Sequence, residues 1–168
     1  MKTLILMIGL PGSGKSGIVD KEFAGKYQVV CLDDIRLALG SIYNKRAEPF
    51  VRSIAVTMVR AYMERGLSIV VDSTCTSERI VKDWKALADE YNYRMEGVQV
   101  NTSIEICKKR KLGVNKLTDE VFDKMEKQLE EWIGSWDNYF NFLRTTRSLP
   151  SCPPPPPKRK IREGVKIL

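Results

Sequence analysis

The sequence predicts a three-layer α/β domain, a mostly parallel sheet of about five strands with helices on both faces. Short apolar runs recur at Leu4–Ile8, Tyr27–Leu32, Leu67–Val71 and Arg94–Val100, and runs of this kind suit strands buried on both faces. Between them lie segments whose apolar residues recur at helical spacing. Strands alternating with helices imply βαβ units and hence a parallel sheet.

The first strand runs into a glycine-rich loop, after which Ile18, Val19, Glu22 and Phe23 suit a helix. Beyond the second strand, Val51, Ile54, Ala55, Met58, Val59 and Tyr62 share one helical face, with Pro49 near its start and Gly66 just past its end. Ser77 is placed to cap a helix carrying Ile80, Trp84, Leu87 and Tyr91. After Thr118, helical spacing continues through Val121, Met125, Leu129, Trp132, Trp136 and Phe140, with Gly134 positioned to split it. The two tryptophans and Phe140 are assigned to the core, with a base-stacking surface as the alternative. A polyproline connector, "SLPSCPPPPPKRK", then leads to "GVKIL", read as a fifth strand at the sheet edge or else an irregular terminus. Residues 1–147 are thus expected to form one domain, followed by a Pro-rich basic segment over 148–168.

Composition narrows the chemistry. No histidine is present, so a His triad, a His-ligated metal and a His general base are excluded. The four cysteines, Cys31, Cys75, Cys107 and Cys152, form no C-x-x-C pair, which suits buried thiols in a reducing compartment. The apolar N-terminus is short and lacks a small-residue cleavage site, and no run reaches a membrane span. A soluble, cytoplasmic protein is expected. From Arg144 onward, seven basic residues face one acid, whereas 21 basic and 20 acidic residues precede Arg144. The net charge of +7 therefore belongs mainly to the tail, where it suits either phosphate backbones or simple solvation.

"GLPGSGKS", from Gly9 through Leu10, Pro11, Gly12, Ser13, Gly14 and Lys15 to Ser16, matches G-x-x-x-x-G-K-[ST] in full. It lies after a buried strand and before a helical segment, as a phosphate-cradling loop must. Gly9, Gly12 and Gly14 let backbone N–H groups converge on phosphate oxygens, the N-terminus of the following helix adds its positive end, and Gly17 completes the nucleotide-binding set. Lys15 is expected to bridge the β- and γ-phosphates and Ser16 to ligate Mg²⁺, with ATP or another NTP as donor. N/T-K-x-D is absent, which argues against a guanine-specific GTPase. "IVVDST" resembles a P-loop strand-end aspartate, yet no glutamate follows Asp72 to activate water. A P-loop kinase-type domain is expected.

Ligands of open parallel sheets bind beyond the carboxyl ends of the strands. There the second strand presents Asp33, Asp34 and Arg36. With a helix starting near Asp33, Arg36 stands over the same side of the first turn, while Asp34 is rotated by about 100°. Asp33 is therefore assigned as base, Arg36 as clamp for an acceptor anion, and Asp34 as helix cap. The alternative has both acids capping the helix and pairing with Arg36.

"LILMIGLPGSGKS", "LDDIR" and "VVDSTCTSER" together resemble the 5′-hydroxyl polynucleotide kinases over Met1 to about Leu143. The resemblance implies ATP–Mg²⁺-dependent transfer to a 5′-OH end of DNA or RNA, with Asp33 as base and Arg36 on an acceptor phosphate. It also implies that Asp72, Ser73, Thr74 and Arg79 line the acceptor side. The family's lid carries two arginines. Here "CKKRKLGVNKLTDE" offers Arg110 for the first, with Lys111 or Lys116 for the second, in a lid near residues 108–117. Two alternatives share the P-loop: a small-molecule kinase acting on a nucleoside, an antibiotic or a sugar nucleotide (the zeta-toxin-like enzymes included), and a non-catalytic nucleotide-binding module.

Overall fold

The computed structural model describes residues 2–40, 43–111 and 117–147. Among these residues, five strands form one parallel sheet in the order β2-β3-β1-β4-β5. β1 (Thr3–Ile8) lies at the centre between β3 (Ile69–Asp72) and β4 (Arg94–Val100), with β2 (Gln28–Cys31) and β5 (Phe142–Thr146) at the edges. Every residue of β1 is buried, as a central strand covered on both faces requires.

The period-two pleat sorts the core into two layers. Leu4, Leu6 and Ile8 of β1, with Ile69 and Val71 of β3, face α3 (Glu48–Glu64) and α4 (Glu78–Glu90). Trp132, Tyr139 and Phe140 complete that layer. Ile5, Met7, Val70, Val98 and Val100 face the other way, onto Ile18, Val19 and Phe23. Each fully buried Leu or Ile contributes about 1.5–3 kcal/mol relative to exposure.

Several boundaries differ from the sequence expectation. α1 (Lys15–Ile18) is one turn long and widens at once into a π-helical turn, Val19–Phe23. Such wide turns are rare and concentrate at functional sites. β2 stops at Cys31, and α2 (Leu32–Ala38) starts immediately, with Cys31 as its N-cap residue. Asp34 is therefore not the cap: it stands beside Asp33 within the first turn, where a carboxylate complements the helix dipole. α3 begins at Glu48 with Pro49 in its first turn, as expected. α5 spans Ile104–Lys111, and α6 (Asp119–Ile133) ends with Gly134 as its C-cap. The helical spacing beyond Gly134 resolves into a 3₁₀ turn, Trp136–Asn138.

The fifth strand of the described residues is Phe142–Thr146, a segment the sequence reading does not single out. It continues the sheet from β4 in register, Glu96 opposite Phe142 and Val100 opposite Thr146. Arg144 pins it to the π-helical turn by pairing with Glu22 and lying over the Phe23 ring. "GVKIL", Cys152, Lys116 and the polyproline connector lie outside the described residues. Among the described residues, no helix is long and apolar enough to cross a membrane.

Candidate active site

The phosphate loop leaves the centre of the sheet. At Gly9 the backbone turns with φ +148°, and a Cβ there would come within 2.8 Å of the Val100 carbonyl oxygen. The Gly9 N–H donates to the Thr74 carbonyl at 3.0 Å, tying the loop to the segment after β3. Leu10 is buried with Cys107 of α5 and Phe122 of α6, so its side chain anchors the loop to the C-terminal half. Gly12, at φ +80°, lies so close to α5 that a Cβ would meet the Cys107 carbonyl oxygen at 3.0 Å. Pro11 is half-buried, Ser13 is wholly buried, Gly14 is the N-cap of α1 and Gly17 sits inside it.

Lys15 is buried, and its Nζ donates to the carbonyls of Gly9 at 2.9 Å and Leu10 at 2.8 Å, and to Ser13 Oγ at 3.4 Å. Burial holds its pKa below the ordinary lysine value, against the opposing pull of Asp72. The Ser16 hydroxyl donates to Asp72 Oδ2 at 2.7 Å. Burial pushes the Asp72 carboxyl above the usual aspartate range, while Lys15 and Ser16 pull it down. Asp72, expected on the acceptor side, thus faces the P-loop serine.

At the edge of the sheet, Asp33 and Arg36 come together as expected, with Arg36 Nη1 donating to Asp33 Oδ1 at 2.6 Å. Sequence reasoning missed a third member. Glu48, at the start of α3, takes Arg36 Nε at 2.8 Å and Nη2 at 2.8 Å in a two-point contact. Its position among first-turn acids was the available signal, since acids are favoured there whatever else they do. The Glu48 contact is the main reason the guanidinium pKa lies above its ordinary value. Three of the five Arg36 N–H groups are engaged, leaving one on each Nη for a further anion.

α5 forms the opposite wall. Arg110 Nη1 donates to the Gly12 carbonyl at 3.0 Å, and Thr102 Oγ1 to the Ser13 carbonyl at 2.9 Å. Lys111 ends α5 with its Cγ near Gly12. Ser73 Oγ meets Cys75 Sγ at 3.2 Å. Arg79 instead lines a groove of about 600 Å³ between α3 and α4, with Arg52, Asp83 and Trp84, and bonds to no member of the Asp33 cluster among the described residues. Burial pushes the Cys31 thiol up to about 12 and the Cys75 thiol up to about 11, so neither is a thiolate nucleophile near neutral pH.

A family model described as an AAA domain matches residues 4–135. The chain belongs to the AAA domain family. This AAA domain has the five-stranded parallel sheet and flanking helices of P-loop kinase folds. It is similar to a chain in a structure of the Pnkp1/Rnl/Hen1 RNA repair complex, at 21% identity and TM-score 0.69, covering 80% of this chain and 46% of that one. It also resembles shikimate kinase from Acinetobacter baumannii in complex with shikimate, at 16% identity and TM-score 0.58, covering 88% and 86%. A third match is to the PezAT chromosomal toxin–antitoxin system of Streptococcus pneumoniae, at 18% identity and TM-score 0.57, covering 88% and 70%. The chain spans less than half the length of the first two solved chains it matches, 46% and 41%. At these identities the likeness establishes the fold.

Proposed function

We propose that the chain is an ATP- and Mg²⁺-dependent kinase that transfers the γ-phosphate to the 5′-hydroxyl end of DNA or RNA. The observation that carries this reading is the Asp33–Arg36 pair, in which a carboxylate and a cation with two remaining donors stand together beyond the second strand. A hydroxyl acceptor needs a group to orient it and take its proton, and an acceptor that already bears a phosphate needs an anion clamp. Asp33 does the first and Arg36 the second. One similar structure comes from an RNA repair complex, which agrees with an acceptor of this class.

In the reaction, Asp33 holds the 5′-OH in line with the γ-phosphorus and accepts its proton. The new O5′–P bond forms as the bond to the bridging oxygen of ADP breaks, so the electron pair leaves with ADP. The transition state is loose, so positioning and charge neutralisation dominate. Lys15 and the loop N–H groups of Gly12 and Gly14 hold the donor phosphates, the Ser13 N–H being taken by the Leu10 carbonyl at 3.1 Å. Ser16 and Asp72 are the residues that would hold Mg²⁺, since a hydroxyl and a carboxylate at 2.7 Å offer hard oxygen donors and Mg²⁺ takes the rest of its shell from water and phosphate. When bound, Mg²⁺ neutralises charge on the donor phosphates. Ser73 and Thr74 line the adjoining wall.

Arg110 and Lys111 close the donor side. Arg110→Ala is expected to lower kcat/KM for ATP by about 10–100-fold, the worth of a charge-assisted hydrogen bond, and Arg110→Lys to restore little because an ammonium lacks the fork. Steady-state kinetics at saturating acceptor check this.

The decisive assay is transfer of label from γ-labelled ATP to 5′-OH DNA and RNA oligonucleotides. Label at the 5′ end, lost in the Lys15→Ala and Asp33→Ala variants, supports the reading. A second reading, a small-molecule kinase, is favoured by Glu48, which gives the Asp33–Arg36–Glu48 cluster a net negative charge suited to an uncharged polyol. Labelling of a small hydroxylated compound with none of any oligonucleotide would establish that instead. Retained ATP binding without any transfer would indicate a nucleotide-binding module.

A further inference from the structure

The segment that delivers Glu48 to Arg36 presents a surface that phosphoryl transfer does not use. Tyr43 is 42% exposed and Phe50 is 54% exposed, although large aromatic side chains are ordinarily among the well-buried residues. Between them lie the exposed Lys45 and Arg46. Neither meets a carboxylate among the described residues, whereas Arg36, Arg52, Arg60, Arg94 and Arg144 each do.

The segment is also built. The Asn44 carbonyl accepts the N–H groups of Ala47 at 2.9 Å and Glu48 at 3.1 Å, and Asn44 Oδ1 accepts the Arg46 N–H at 3.0 Å. Lys45 and Arg46 are thereby carried on a hydrogen-bonded turn that leads straight into α3, with Tyr43 just before it and Phe50 in the helix's first turn. Phe50 follows Glu48 by two residues, about 3 Å along the axis of α3 but about 200° around it, so a strand held at Arg36 meets Phe50 only after passing round the start of the helix.

We propose that the Tyr43–Phe50 segment is a platform for single-stranded polynucleotide, with bases stacking on Tyr43 and Phe50 and backbone phosphates meeting Lys45 and Arg46. It extends the acceptor site beyond the phosphate at Arg36, and so rests on the kinase reading above. Single-strand binding needs this combination of cations that track the backbone and aromatic faces that accept any base. Because hydrogen bonds already fix the backbone of the turn, the ordering cost on binding falls mainly on the side chains. A second copy of this chain fits worse, because a two-fold contact sets the patch against itself and Lys45 and Arg46 against their own copies.

The test measures affinity of the full chain for a 3′-labelled, 5′-OH single strand of ten nucleotides by fluorescence anisotropy, over a salt series. The Tyr43→Ala/Phe50→Ala double variant is expected to bind about tenfold more weakly or worse, from the loss of base stacking. Lys45→Ala/Arg46→Ala is expected to flatten the slope of log K against log salt by about 1.4, at roughly 0.7 per phosphate contact on a single strand. ATP affinity stays unchanged in both, which certifies the fold. KM rises for the ten-mer and not for a nucleoside 3′-phosphate, which is too short to reach the platform. If the ten-mer binds and the variants weaken it while no acceptor is phosphorylated, the kinase reading falls and the platform stands. Absence of wild-type binding, unchanged affinity in both variants, or equal loss on both acceptors overturns the platform. Loss of self-association with unchanged ten-mer affinity assigns the face to a second copy.

Discussion

Asp33→Ala is expected to lower phosphoryl transfer by about 10²–10⁴-fold, the usual worth of a positioned proton acceptor, and to leave ATP binding intact. The neighbouring Asp34→Ala is expected to keep activity within a few-fold, because its part is to complement the α2 dipole, worth about 0.3–1 kcal/mol. The two acids are adjacent in the chain, yet Asp33 bonds to Arg36 and Asp34 has no such partner among the described residues. Single-turnover labelling of a 5′-OH oligonucleotide, paired with an ATP-binding titration, reads the difference. Equal losses in the two variants would move the base to Asp34 or to neither. Asp33→Asn sharpens the result: it keeps the shape and a hydrogen-bonding group but cannot take the proton, so its deficit isolates the proton-accepting part of the role.

Lys15→Met is the second large effect. Loss of a preorganised donor to the transferring phosphates costs about 10²–10³-fold in kcat. The buried ammonium adds a proton signature. Its folded pKa lies below the ordinary 10.5, chiefly through desolvation, so the charged form is disfavoured in the folded chain. Relative to the unfolded chain this costs stability below the folded pKa, and the cost disappears as pH rises through that value to the ordinary one. Polyphosphate beside the ammonium is expected to reverse the shift, so that ATP binding takes up a proton wherever the free lysine is partly neutral. Calorimetric binding enthalpies measured in buffers of different ionisation enthalpy should diverge for the wild type, with net uptake, and converge for Lys15→Met. Convergence in both proteins would mean that the lysine does not change protonation on binding.

Much of this site is legible in the sequence, for local reasons. The loop from Gly9 to Ser16 is read from glycine geometry and from its place between an apolar strand and a helix. Asp33 and Arg36 are read from helical spacing, because three residues fix a shared side of one turn. What the sequence does not disclose depends on contacts distant along the chain. Glu48 reaches Arg36 across twelve positions and between two helices, which no spacing rule encodes. Asp72 looks like one of several acceptor-side residues until the sheet register sets it beside Cys31 on β2 and under Ser16. Phe142–Thr146 escapes notice because an edge strand is half-exposed and carries no continuous apolar run, whereas "GVKIL" has three apolar residues around a single lysine. The boundary between β2 and α2 is missed by one residue. That residue turns Asp34 from a cap into a first-turn acid.

The phosphate loop lies within the first tenth of the chain, but its walls do not. Thr102 holds Ser13 across 89 positions and Arg110 holds Gly12 across 98, while Leu10 is packed by Cys107 and Phe122. β4, one of the two neighbours of the central strand, also arrives only at Arg94–Val100. During synthesis, therefore, a nascent chain carries the whole nucleotide motif long before it can hold that motif in shape. The contacts that hold Leu10, Gly12 and Ser13 become available only once α5 and α6 have been made. A fragment ending near the middle of the chain would keep Asp72 and Thr74, which hold Ser16 and Gly9, but would lack the wall formed by Thr102, Arg110 and Phe122.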